Sequence, residues 1–313
     1  MYKKIVHISW LSQEDIRDYD KLNYRRFKIS KFLKEYYGGD YFLVQKPEDL
    51  EAIKIQDIYF DVCYVSKPYK ILHVLPQIKY DKLIYDRSDN WSGQHIYENT
   101  IYSKEETFLL ENASKILYVS RNMLDNKYQN KMIYVTNGTD VFEYDNAIEK
   151  FPKNTAIYIG RSSKKVNFNW LEKAALFYND WDFLIYGISD EIKDKLQLGA
   201  PKNIMWKGFL PEKELFKIIE KCHVGLIPFV DKNPYVQGMC PLKLFQYCNA
   251  HIPTAYLNSP ECSFYPNIAF DLNVYNLNYI SQQKIPDVIY NKVLKEHNWK
   301  NIFENIVNII ESI

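Results

Sequence analysis

Short apolar, β-branched runs alternate along this chain with longer stretches whose apolar residues recur every three or four positions. Runs of the first kind predict strands at Lys4–Ser9, Tyr41–Val44, Phe60–Val65, Lys70–Val74, Lys82–Tyr85, Ile116–Ser120 and Met132–Val135. Stretches of the second kind predict helices at Asp20–Tyr37 and Tyr97–Ala113. The pattern then restarts. Strands are expected at Ala156–Ile159, Asp182–Tyr186, Ile204–Trp206, Val224–Pro228 and Thr254–Leu257, and helices at Asn169–Tyr178, Lys213–Lys221, Leu242–Asn249, Gln283–Glu296 and Trp299–Ile310. Strand–helix alternation of this kind is the signature of an α/β fold built on doubly wound parallel sheets, and here it occurs twice.

The polar stretch Phe142–Lys153, which holds Pro152, separates the two series. The expected organisation is a first domain over 1–148, a second over 149–295, and a terminal helix over 296–313, which could pack back on the first domain although the sequence alone does not show it. A chain of 313 residues suits two domains.

Composition narrows the function classes. The net charge of +1 speaks against a general nucleic-acid binder. Five cysteines without a CxxC pair leave neither a disulfide framework nor a zinc site to expect, and no metal is called for. No apolar run is long enough to span a membrane, and the opening MYKKIVHIS reads as a strand, so a cytoplasmic protein is expected.

Candidate chemistry lies in a few loops. The strand ending at Gly160 runs into a basic turn with Arg161, Lys164 and Lys165 ahead of a helix; such a loop suits phosphate oxygens. Gly238 and Met239 precede a helix with Pro241 and Lys243 near its start, where open backbone N–H groups could receive a diphosphate. A lysine there opposes the helix dipole, and a bound phosphate would resolve the conflict. Gln246 lies three residues on. The turn of Gly208, Phe209 and Leu210 follows a strand, at the edge where open α/β sheets bind ligands. In the first half, a strand leads into a polar loop with Asp86 and Asp89, either of which could take a proton from a hydroxyl. Arg17, Lys21, Arg25, Arg26, Lys28, Lys31 and Lys34 give one helix a basic face, read either as solvated or as a surface for a phosphorylated acceptor or an anionic membrane near 21–34. Neither GxxxxGK[ST] nor a GxGxxG after a strand occurs.

Taken together, the ordered segments Tyr85–Ser92, Ala113–Ser120, Val135–Asp140, Tyr158–Arg161, Trp206–Phe209, Val224–Phe229 and Pro241–Tyr247 resemble those of GT-B glycosyltransferases. The likeness is greatest to the bacterial glucuronosyltransferase-like (xanthan-type) enzymes of polysaccharide assembly, with the retaining, glycogen-synthase-like group as a second match. The resemblance implies two Rossmann-like domains facing a central cleft. It implies a sugar-nucleotide donor, UDP-linked by the family's habit, held chiefly by the second domain. Lys243 would contact the diphosphate, Phe209 and Leu210 the base, and Gln246 the ribose, where relatives carry a glutamate. A second family acid is replaced by Gly238. The acceptor implied is a saccharide or lipid-linked saccharide, and no cofactor is expected; the inner face of the membrane is an option that the basic helix near 21–34 leaves open. The transfer is expected to be metal-independent. If it inverts, the favoured course, Asp89 and then Asp86 is the expected base; if it retains, the leaving phosphate would take the proton. Two other readings follow from the same residues: a UDP-GlcNAc 2-epimerase-like enzyme, and a catalytically silent nucleotide-sugar-binding subunit.

Overall fold

Six of the apolar runs in the first series pair into one parallel sheet, and crossover connections return the chain to the same edge before each strand. The computed structural model describes residues 3–10, 25–91, 103–145, 147–160, 165–197, 199–231 and 233–313. They divide into two units, Met1–Asn137 with Lys300–Ile313, and Gly138–Trp299.

In the first unit the strands are β1 (Ile5–Ile8), β2 (Tyr41–Val44), β3 (Tyr59–Val65), β4 (Lys79–Arg87), β5 (Lys115–Tyr118) and β6 (Met132–Tyr134). All pair in parallel, in the order β2-β1-β3-β4-β5-β6. Helices α1 (Arg25–Tyr37), α2 (Pro47–Ile55), α3 (Ile71–Val74) and α4 (Ser103–Asn112) connect them. Strand order reverses between β1 and β3, so the carboxyl ends of those strands bound a crevice. One predicted strand is a helix. Lys70–Val74 forms the single turn α3, because Ile71, Val74 and Leu75 are buried while Leu72 and His73 face solvent. That is the helical period, not alternation. The basic helix is likewise less exposed than its charges suggest. Arg25 and Arg26 are buried, and Lys31 and Lys34 are exposed; Arg17 and Lys21 lie outside the described residues.

In the second unit the strands are β7 (Thr155–Ile159), β8 (Asp182–Tyr186), β9 (Ile204–Trp206), β10 (Val224–Pro228), β11 (Thr254–Leu257) and β12 (Ala269–Asp271). They are also parallel, in the order β12-β11-β10-β7-β8-β9. Counted along the unit this is 3-2-1-4-5-6, the Rossmann order, with its switch point between β7 and β10. The helices are α5 (Phe168–Phe177), α6 (Asp190–Gln197), α7 (Glu212–Ile219), α8 (Pro234–Gln237), α9 (Leu242–Asn249), α10 (Leu277–Ser281) and α11 (Asp287–His297). A last helix, α12 (Trp299–Glu311), ends the chain.

Residues of α12 complete the first unit. Phe303 stacks on Phe32 with centroids 4.5 Å apart. The Tyr37 hydroxyl donates to Glu311 at 2.7 Å, and Lys3 donates to the carbonyls of Ile310 and Ile313. The units part at Asn137/Gly138, ahead of the polar stretch expected to divide them. Gly138 has no room for a side chain, since a Cβ would stand 2.9 Å from the Trp299 ring, and Thr139 N–H donates to His297 O at 2.8 Å. The polar stretch itself is packed on the second unit. Phe142 meets Phe216, Tyr144 stacks on His251, and Lys150 donates to Glu220 O. Among the described residues no helix is long and apolar enough to cross a membrane.

Candidate functional site

The second unit opens where β7 and β10 stop pairing. These strands are in register only at Val224–Ala156 and Gly225–Ile157. Beyond that point a side chain from α9 fills the gap. The Tyr247 hydroxyl accepts from Ile159 N–H at 3.3 Å and shares its proton between the carbonyls of Ile157 at 3.0 Å and Leu226 at 3.1 Å. Its ring lies flat on Gly225, where a Cβ would stand 2.3 Å from ring carbons. Only glycine lets α9 come so close. The contact fixes the helix against the switch point, and Lys243 stands one turn earlier on it.

Lys243 is half-buried. Its ammonium lies 5.1 Å from the Tyr158 ring centroid and 5.0 Å from that of Phe229, at the carboxyl ends of β7 and β10. No carboxylate or hydrogen-bond acceptor among the described residues pairs with it. Burial, with added repulsion from the Lys165 ammonium, lowers its pKa to about 8. Lys165 rests over the Tyr235 ring at 4.1 Å. Its segment is tied to the β10 loop by Val230 N–H to Lys165 O at 3.0 Å and Asn167 N–H to Pro228 O at 2.7 Å. Two ammonium groups therefore stand together at the switch point, beside the first turn of α9. That arrangement recruits an anion. Arg161 and Lys164 lie outside the described residues.

Three glycine-bearing turns pave the same edge. At Gly160, a Cβ would stand 2.6 Å from the Tyr158 hydroxyl and 3.5 Å from Lys243 Nζ. Gly187, at the end of β8, has φ +85° and abuts Gly160, with a Cβ 3.2 Å from its carbonyl oxygen. Gly187 N–H in turn donates to Gly208 O at 3.3 Å. Beyond Gly208, Phe209 exposes more than half its surface at 54% and Leu210 is half-buried. An exposed ring there can stack on a flat ligand. Gln246 donates from Nε2 to Glu212 Oε1 at 3.1 Å. The amide is thereby oriented, and its Oε1 remains an acceptor.

The expectation for Gly238 and Met239 needs correcting. Their amides are not open: Gly238 N–H donates to Tyr235 O at 3.2 Å and Met239 N–H to Val236 O at 3.1 Å. The short helix α8 ends there and consumes both donors. Asp86 is also differently employed than expected of a base. It is fully buried, and the Arg25 guanidinium meets both carboxylate oxygens at 3.0 Å while donating to Thr136 O at 2.6 Å. Asp89, half-buried, stands in the turn that follows β4. Sequence reasoning overlooked Gly187 and the role of Tyr247. The one available signal was scarcity: with 10 glycines in 313 residues, one directly after an apolar run marks a strand edge.

No protein-family model matches the chain. It is 27% identical over 210 residues to TuaH of Bacillus subtilis (strain 168), which is named as a glycosyltransferase of teichuronic acid biosynthesis. The match covers 59% of this chain and 52% of TuaH, so the chain spans about half the length of that curated relative. Some solved structures resemble it over nearly their whole length. Anabaena Alr3699/HepE, crystallised with UDP and glucose, superposes with a TM-score of 0.69 at 11% identity, covering 100% of both chains. The lipopolysaccharide outer core galactosyltransferase WaaB gives 0.66 at 12% identity over 98% of this chain and 99% of its own. AviGT4, a glycosyltransferase of avilamycin A biosynthesis, gives 0.62 at 11% over 99% and 97%. The chain has the GT-B fold of these glycosyltransferases, two parallel-sheet α/β units in one polypeptide.

Proposed function

We propose that this protein is a glycosyltransferase of cell-surface polysaccharide synthesis, transferring a sugar from a UDP-linked donor to a saccharide or lipid-linked saccharide acceptor. One observation carries the reading: Lys243 holds a half-buried ammonium at the β7/β10 switch point with no acidic partner among the described residues and Lys165 for a neighbour. The name of TuaH and the UDP and UDP-glucose complexes of HepE support it.

The difficult step is breaking the anomeric C–O bond while UDP departs. Negative charge then grows on the β-phosphate. Lys243 and Lys165, already placed and partly desolvated, lower the energy of that charge more than that of the intact donor. Two protein cations supply the charge a metal would, so we propose a metal-independent transfer. Phe209 would stack on the uracil, and the oriented carbonyl of Gln246 would accept from a ribose hydroxyl. For an inverting reaction Asp89 would take the proton of the attacking acceptor hydroxyl. Asp86 would instead hold Arg25 and the β4 loop.

The test is a thermal-shift panel of nucleotides and nucleotide sugars, followed by donor hydrolysis. UDP-sugars should raise the apparent Tm, and Lys243→Ala should remove both the shift and the hydrolysis. A panel in which no nucleoside diphosphate shifts the wild-type protein would refute the assignment.

A further inference from the structure

On α9, Lys243, Gln246 and Asn249 recur every third residue and so share one face of the helix. On α7, Glu212, Leu215 and Phe216 do the same. The two faces meet in a cleft of the second unit, lined by Glu212, Leu215, Phe216, Gln246 and Asn249 with Phe142 beside them. Gln246 stands about 4.5 Å along the helix axis from Lys243. The cleft therefore begins next to the anion site at the switch point, where a nucleotide would place its sugar.

Three polar side chains of the cleft each bring an acceptor. Asn249 is 1% exposed, and its Oδ1 has no hydrogen-bond donor among the described residues. The Glu212 carboxylate accepts from Gln246 Nε2 at 3.1 Å. A carboxylate only accepts, so the amide must turn its nitrogen to Glu212, and Gln246 Oε1 is the third acceptor. Acceptors gathered in one cleft call for hydroxyl donors. A ribose brings two, side by side.

Glutamine alone reads a sugar poorly. Its amide can turn end for end, and a hydroxyl satisfies either end. The bond to Glu212 removes that freedom. Being charge-assisted, it also polarises the amide and strengthens the opposite oxygen as an acceptor. Glu212 lies in the first turn of α7, where the helix dipole favours its negative charge.

We propose that Glu212 is a positioning residue for donor selection: by holding the Gln246 amide, it sets an acceptor against the ribose hydroxyls and makes the site prefer ribonucleotide over deoxyribonucleotide donors. The role rests on the nucleotide-donor reading above.

Calorimetric titration of the full chain with UDP, 2′-deoxy-UDP and 3′-deoxy-UDP tests this. Wild type should bind UDP about tenfold or more tightly than at least one deoxy analogue, because a missing hydroxyl leaves an acceptor unpaired. Glu212→Gln releases the amide and should reduce that preference to about threefold or less, chiefly by weakening UDP. The exchanged pair, Glu212→Gln with Gln246→Glu, returns a fixed acceptor to the cleft and should restore the preference. A mere strut between α7 and α9 would behave differently, since its loss weakens all three nucleotides alike. The proposal is overturned if wild type binds the three equally, if Glu212→Gln keeps the full preference, or if the exchanged pair is as indifferent as Glu212→Gln. Failure of wild type to bind UDP at all would instead sink the donor assignment, a separate readout.

Discussion

Replacing Lys243 by methionine should make the unliganded protein more stable and the donor-binding protein useless. The lysine pKa falls from 10.5 to about 8 in the folded chain. That depression corresponds to about 3 kcal/mol by which folding disfavours the charged form at neutral pH, as an upper figure, since the side chain is only partly withdrawn from water. Methionine keeps the apolar stem against Tyr158 and Phe229 and removes the charge. For a unit of this size a kcal/mol moves the apparent Tm by roughly 2–4 °C, so Lys243→Met should melt several degrees higher than wild type at pH 7. The pH trend has a definite sign. Because the folded pKa lies below the unfolded one, the unfolded chain holds more protons between about pH 8 and 10.5. Wild-type stability should therefore gain from this lysine as pH rises through that window, and the variant should lack that gain. Differential scanning fluorimetry with and without UDP reads both effects. The reasoning fails if Lys243→Met melts lower than wild type while keeping its full UDP-induced shift.

UDP affinity of the wild-type protein should be flat below pH 8 and fall above it, by up to about tenfold per pH unit, as the free lysine loses its proton; calorimetric titrations across pH 6.5–9.5 check this. Tyr247→Phe removes the hydroxyl that bridges β7 and β10, and should cost about 1–3 kcal/mol in chemical denaturation with weaker UDP binding besides. Gly187→Ala meets both a φ of +85° and the Gly160 carbonyl, and should destabilise by about 1–3 kcal/mol while raising the KM for donor. Asp86→Asn and Asp89→Asn should separate cleanly. The first weakens the partner of a buried guanidinium, costing up to about 3–5 kcal/mol of stability; the second should lower kcat by about a hundredfold or more, with KM for the donor unchanged.

Local pattern carried much of this structure. The span Leu242–Asn249 is readable to the residue, because its apolar positions repeat at helical spacing and Pro241 marks its start. Lys243 stood out for the same local reason, a cation in a first turn where the dipole repels it. What stayed hidden depends on contacts remote in sequence. Asp86 reads as a loop acid because nothing near it shows Arg25 arriving from α1, 61 positions away. Tyr247 looks like one more apolar residue of a helix until Gly225 and the parting of β7 from β10 give its hydroxyl a place. Lys70–Val74 is too short for two periods to differ on paper, and burial alone decides it. The two strand orders, reversed at different points, cannot be told from alternation at all.

The most direct measurement is a crystal structure with a UDP-sugar. The diphosphate should lie between β7 and β10, with Lys243 Nζ and Lys165 Nζ each roughly 3 Å from a phosphate oxygen. A donor bound elsewhere, or a diphosphate at that edge with both ammonium groups turned away, would contradict the account.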